Sequence, residues 1–89
     1  MPFLEFTPNL ARQVAVPAGE FPGGSVREVL ESAFSTRPDT RPYVLDDQGG
    51  VRKHVMVFVN GEQIADRRAL TDAVQPGDNV FVMQALSGG

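Results

Sequence analysis

One stretch of this chain carries helical periodicity strong enough to dictate an architecture. Ser25 can cap a helix with its hydroxyl, and Glu28, three residues on, stands where a capping box needs a carboxylate. Val26, Val29, Leu30, Ala33 and Phe34 then repeat at the i, i+3, i+4, i+7, i+8 spacing of one buried face, with Arg27, Glu28 and Glu31 on the other. Pro38 is expected to end the helix, because its ring pushes Arg37 out of helical geometry. The rest of the chain reads as short alternating runs. A single amphipathic helix covers only one face of a sheet, so the expected class is two-layer α+β, a mixed sheet under one main helix. With 89 residues the chain holds one domain. A domain this small buries only roughly 60–65% of its unfolded surface, leaving little interior for an enclosed active site.

The strands can be placed from alternation and turn chemistry. Phe3–Phe6 and Gln13–Val16, separated by Pro8 and Asn9 and ended by Pro17 and Gly19, read as an opening hairpin. Leu4 and Phe6 would share one face with Glu5 opposite, and Val14 and Val16 would continue inward with Gln13 outward. The Gly- and Pro-rich stretches 17–24 and 36–50 read as surface loops, the second closing in the turn Asp46-Asp47-Gln48-Gly49-Gly50. Val51–Val59 is the strongest strand, with Val51, Val55, Val57 and Val59 on one face and Arg52, His54, Met56 and Phe58 on the other. Asn60-Gly61 marks a tight hairpin into Gln63 and Ile64. Gln75-Pro76-Gly77-Asp78 introduces the last strand, Asn79 to Ala85. Hairpin, helix, then further strands is the order of a β-grasp fold.

Composition excludes several kinds of function. Eight Lys and Arg against eleven Asp and Glu give a net charge of −3, the wrong sign for gripping a phosphate backbone, so no nucleic-acid partner is expected. No stretch approaches the ~18 consecutive apolar residues of a membrane span. The opening MPFLEFTPNLARQ lacks the basic start and apolar run of a signal peptide, so a cytoplasmic location is expected. The absence of Cys removes thiol nucleophiles and thiolate metal ligands, and a single His argues against a histidine metal site. Asp46 and Asp47 lack the alternating ligands and terminal Glu of a calcium loop and read as a turn. Gly23-Gly24-Ser25 lacks the Gly-Lys-Ser/Thr of a phosphate loop, so no nucleotide is expected on this chain. His54 has no partner Ser or Cys pattern. Arg52-Lys53 and Arg67-Arg68 read as solvated charges or as the rim of a partner interface.

The remaining chemistry lies after the last strand, where the sequence runs Ala85-Leu86-Ser87-Gly88-Gly89. With Gly at about 7% of residues, a chance terminal pair arises roughly once in 200 chains. Such a tail can lie extended in a narrow channel and bring its carboxylate to another enzyme's reactive atoms. Conversion of that carboxylate to an acyl-adenylate by a partner using ATP makes its carbonyl attackable by sulfur or an amine. The plainer alternative is a frayed terminus or a cloning remnant. The division expected is a domain over 1–85 and a flexible diglycine tail over 86–89.

The stretch Val55-Met-Val-Phe-Val-Asn-Gly-Glu62, then Gln75-Pro-Gly-Asp-Asn-Val-Phe-Val-Met83 followed by Gly88-Gly89, resembles the MoaD/ThiS family of ubiquitin-like sulfur carriers over nearly the whole chain. The segment Arg41 to Lys53 is similar to that of the longer members, including the carrier used in cysteine biosynthesis. Gln84-Ala85-Leu86-Ser87 departs from the family's common Pro-Ala-Val-Ala-Gly-Gly ending, a difference that bears on which partner is used. The resemblance implies a ubiquitin-like β-grasp and a carrier rather than an enzyme. Gly89 would be adenylated by a ubiquitin-activating-type adenylyltransferase and converted to a thiocarboxylate, with Gly88, Ser87 and Leu86 as the tail. A downstream sulfur-using enzyme would then take the sulfur, and the free carrier would be a monomer. Phe58, Phe81 and Met83 fall opposite Val57, Val59, Val80 and Val82, and an apolar outer face beside the tail is where partners dock in ubiquitin-like proteins. The alternative is that the loop bearing Tyr43 covers them. Two other functions share these features: a modifier joined to lysines, and a β-grasp interaction module with an inert tail.

Overall fold

The structure, a computed structural model, describes residues 1–84. In chain order it contains β1 (Phe3–Phe6), α1 (Pro8–Val14), β2 (Gly19–Glu20), α2 (Val26–Phe34), a 3-10 helix (Pro38–Tyr43), β3 (Val55–Val59), β4 (Glu62–Gln63) and β5 (Asn79–Gln84). The five strands form one sheet in the order β2-β1-β5-β3-β4. β1 and β5 run parallel and the other pairs antiparallel. The first and last strands thus lie side by side at the centre of a mixed sheet, the ubiquitin-like β-grasp arrangement.

Leu4 and Phe6 from β1, Val55 and Val57 from β3, and Val80 and Val82 from β5 point to one face and are buried. α2 meets them with all five residues of its expected apolar stripe. The rings of Phe6 and Phe34 stand 6.4 Å apart across this boundary. Ser25 Oγ accepts from Glu28 N at 3.2 Å, while Glu28 Oε1 accepts from Gly24 N at 3.0 Å, one residue earlier than a standard capping box.

Four sequence expectations are corrected. Gln13–Val16 is no strand: its first two residues end α1 and its last two follow it. Pro8 starts that helix with a preset φ, Leu10 and Val14 lie one turn apart on its buried side, and Ala15 ends it in the left-handed region at φ 56°. The antiparallel partner of β1 is instead the two-residue β2, inside the stretch expected to be loop. The second helix ends at Phe34, before Pro38. The Ser35 and Thr36 hydroxyls donate to the Ser32 and Ala33 carbonyls at 2.6 and 2.7 Å, so local side chains terminate it.

Arg37, at φ −144° and ψ 77°, is out of helical geometry as the following proline favours, and Pro38 opens the 3-10 helix rather than a loop. That helix packs against α1 and α2, with Thr40 buried and its hydroxyl donating to the Arg37 carbonyl at 2.6 Å. The remaining correction concerns Val51, which is buried but makes only an isolated bridge to Leu45. Arg52 N bonds back to the Val44 carbonyl and Val55 N to the Arg52 carbonyl, both at 3.0 Å. Arg52 and His54 therefore lie in a turn before β3, outside the strand face assigned to them.

Candidate functional site

Two turns set the geometry of the site. Asn60 and Gly61 both have positive φ, 51° and 85°, as a two-residue hairpin turn matched to the strand twist requires. Gln75-Pro76-Gly77-Asp78 closes through Asp78 N donating to the Gln75 carbonyl at 3.0 Å, with Gly77 at φ 91°. The two turns are tied to each other. Asn60 Nδ2 donates to Asp78 Oδ1 at 3.0 Å, Asn60 Oδ1 accepts from Asn79 N at 2.9 Å, and Asn60 N donates to the Asn79 carbonyl at 2.8 Å. The Asn60 amide, and after it the Gln75 N–H, hold the Asp78 carboxyl below the usual aspartate range. What look in sequence like two independent turn signals form one clamp at the start of β5.

This clamp fixes the register. Phe58 stands opposite Phe81 and Met56 opposite Met83, on the sheet face away from the helices. β1 pairs Glu5 with Phe81 and so brings Phe3 and Glu5 to the same face. Glu5, Phe58, Gly61, Asn79, Phe81 and Met83 line a shallow depression of about 430 Å³. Phe58, Phe81 and Met83, the three residues singled out in sequence, are thus brought together, each half-buried. Only strand and turn residues line the depression. Tyr43 is itself exposed at 49%, and the 3-10 helix carrying it packs on the helical side, so that loop does not cover these residues.

Met56, Phe3 and Glu5 complete the face, and sequence reasoning left them out of the site. For Met56 the signal was present, since it alternates with Val55 and Val57 as Phe58 does. Phe3 and Glu5 required knowledge that β1 lies beside β5, which no local pattern carries.

β5 ends at Gln84, registered with Val55. Ala85 and the tail residues Leu86, Ser87, Gly88 and Gly89 lie outside the described residues. The strand end from which the tail continues is adjoined by the 51–54 turn and by Arg67, whose Nη2 donates to the Arg52 carbonyl at 2.8 Å and whose carbonyl accepts from Val51 N at 2.8 Å. Among the described residues, no three His, Asp or Glu side chains gather as a metal ion would need. The Asp46–Gly50 segment is a turn, with Asp46 Oδ1 accepting from Gln48 N at 2.9 Å and Gly50 N at 3.0 Å. No described helix is long and apolar enough to cross a membrane.

The sequence matches the model of the ThiS family over residues 13–89. Among curated proteins none matches it. SAMP1 from Haloferax volcanii has a solved structure similar to this one, with 24% identity, 99% of this chain and 98% of that chain covered, and a TM-score of 0.78. The BexX/CysO complex of Amycolatopsis orientalis contains a chain at 19% identity, covered completely on both sides, with a TM-score of 0.83. CysO from Mycobacterium tuberculosis, described as an antigen, matches at 17% identity over 97% of this chain and all of that one, with a TM-score of 0.80. At these identities the solved structures speak to the fold.

Proposed function

Because this chain belongs to the ThiS family, a family of sulfur carriers rather than enzymes, we propose that it carries sulfur on the C-terminal carboxyl of Gly89. A ubiquitin-activating-type adenylyltransferase joins that carboxylate to the α-phosphate of ATP and releases pyrophosphate. Attack by a sulfide on the acyl carbonyl then expels AMP and leaves a thiocarboxylate. The thiocarboxylate donates sulfur to a biosynthetic enzyme of the cysteine, molybdopterin or thiamine type. ATP is the partner's cosubstrate; this chain supplies a narrow tail and a docking face, and acts in the cytoplasm.

The observation that carries this reading is the family match extending through Gly88-Gly89, at the end of the strand that bears Phe81 and Met83. Phe58, Phe81 and Met83 serve as the contact surface for the partner, because an apolar face beside the tail lets docking and tail insertion occur together.

Deleting Gly88 and Gly89 leaves thermal unfolding unchanged and abolishes ATP-dependent pyrophosphate exchange with the activating enzyme. Exchange at the wild-type rate in the truncated protein would overturn the reading. The intact mass of protein from its own host separates sulfur carriage from its alternative. One terminal oxygen replaced by sulfur marks a carrier, whereas isopeptide bonds from Gly89 to lysines mark a modifier. The solved neighbours named small archaeal modifier protein keep that second reading in play.

A further inference from the structure

Four of the chain's eight Lys and Arg residues, Arg52, Lys53, Arg67 and Arg68, gather on two adjoining turns at the tail end of the sheet. Their placement follows from the hydrogen bonds between Val51, Arg52 and Arg67, and from the pairing of Val55 with Gln84. Arg52, Lys53, His54 and Arg68 are exposed, and Arg67 is half-buried.

The salt bridges among the described residues all use other cations: Arg27 and Arg41 with Glu31, and Arg37 with Asp39. Arg52 and Arg67 bond to main-chain carbonyls instead, of Pro42 and Arg52 respectively. A carbonyl fixes a guanidinium in place without cancelling its charge. The nearby carboxylates of Asp46 and Asp66 are turned into their own loops. Asp66 takes bonds from Arg68 N, Ala69 N and the Thr71 hydroxyl, and Asp46 takes those of Gln48 N and Gly50 N. Asp47, exposed on the adjoining turn, and Asp72, which accepts from Ala65 N and Asp66 N, dilute the cluster.

The net charge of −3 is therefore not concentrated at this end, where Lys53 and Arg68 are exposed and their side chains donate no hydrogen bond among the described residues. Glu62 and Asp78 lie at the other end of the sheet, by the turns that begin β4 and β5. The six residues of β5 separate the two ends by about 17 Å, roughly twice the screening length at physiological salt. At physiological salt a partner approaching the tail meets these cations with Glu62 and Asp78 largely screened.

We propose that Arg52, Lys53, Arg67 and Arg68 steer the carrier onto enzymes that bear an acidic rim at the mouth of the channel receiving the tail. The partner chemistry is an Asp- and Glu-rich protein surface beside that channel, and this inference rests on the carrier reading above. Complementary charge of this kind acts on encounter and orientation, so its signature is a salt-sensitive second-order rate and not a change in the chemical step. It complements the apolar depression, which holds the partner once docked.

The test measures adenylation of the full chain by its own activating enzyme across increasing NaCl. Lys53 and Arg68 are chosen because neither side chain donates a hydrogen bond among the described residues. The double variant Lys53→Glu/Arg68→Glu lowers kcat/KM about tenfold at low salt, leaves kcat unchanged, and converges with wild type at high salt. Glu20→Lys, a charge reversal of exposed Glu20 on β2, changes kcat/KM by less than about twofold, because a charge altered away from the cluster has little effect on the encounter. Equal kcat/KM for wild type and double variant at every salt concentration overturns the steering while leaving the carrier reading standing. A wild-type chain that is never adenylated overturns the carrier reading and the steering with it. Salt-sensitive binding of single-stranded RNA oligomers that the double variant loses, with adenylation unaltered, assigns the cluster to nucleic acid and overturns the proposal.

Discussion

The two faces of the central strands β1, β5 and β3 are built from different side chains for different tasks. The inner face carries five valines from β3 and β5, of which Val55, Val57, Val80 and Val82 are buried with Leu4 and Phe6 from β1 and Val59 is partly buried. The outer face uses Phe3, Glu5, Met56, Phe58, Phe81 and Met83 in the same register. Valine is stiff and packs to one arrangement, which suits a small core. Methionine and phenylalanine offer large contact area, and methionine adapts its shape to what meets it. One sheet thus buries a rigid face against the helices and keeps an adaptable, half-buried apolar face on its other side.

That contrast is most easily broken from the inside. Val57→Ser and Val82→Ser each place a hydroxyl among apolar side chains and remove volume from a fully buried position. Each lowers the unfolding free energy by about 2–4 kcal/mol in denaturant titrations. Against a total on the order of 5–15 kcal/mol for a domain, such a loss is plainly visible.

On the outer face the same chemistry reads out differently. Phe58→Ser and Met83→Ser change unfolding by less than about 1 kcal/mol, and weaken binding to the activating enzyme by about 1–2 kcal/mol, roughly 5–30-fold. Calorimetric binding beside a melting curve for all four variants decides the matter. Equal destabilisation at the four positions would make both faces core and remove the docking surface.

A smaller effect sharpens the comparison by testing the loops that hold the faces in register. The Thr71 hydroxyl first, and then the Ala69 and Arg68 N–H groups, push the Asp66 carboxyl down to about 2. Asp78 is lowered by Asn60 and Gln75, and Glu31 chiefly by its hydrogen bonds from Arg41, which outweigh partial burial. Each folded-state value lies below the unfolded one, so the stabilisation is complete above about pH 5 and is withdrawn as the pH falls toward 2. Melting temperature therefore drops through that window. Asp66→Asn flattens the drop and lowers stability at neutral pH, because an amide offers one acceptor oxygen where the carboxylate offers two. An unchanged acid limb in that variant would remove Asp66 from the account.

How far the sequence could be read depended on how long each pattern ran. The helix at Val26–Phe34 was legible because nine residues of stripe and a capping Ser25 agree. Residues 8–16 were not, because Val14 and Val16 satisfy a period of two while Leu10 and Val14 satisfy a helical turn, and so short a window cannot choose. The outer-face residues Phe58, Phe81 and Met83 came from strict alternation in two strands whose turns were unmistakable. Phe3 and Glu5 were missed because their membership depends on a neighbour seventy-odd residues away in sequence.

By itself the sequence determined what local chemistry controls: the capped helix, the Asn60-Gly61 and Pro76-Gly77 turns, and the inward valines. These follow from backbone sterics and side-chain periodicity within a few residues. Only the tertiary structure decided that β1 lies parallel beside β5, that Asn60 ties the two turns together, and that Arg52, Lys53, Arg67 and Arg68 share the end where the tail departs. Those arrangements join residues far apart in the chain, and no local propensity encodes them. They are settled when one buried face is satisfied by strands and helices together, and what is left outside becomes the surface that partners meet.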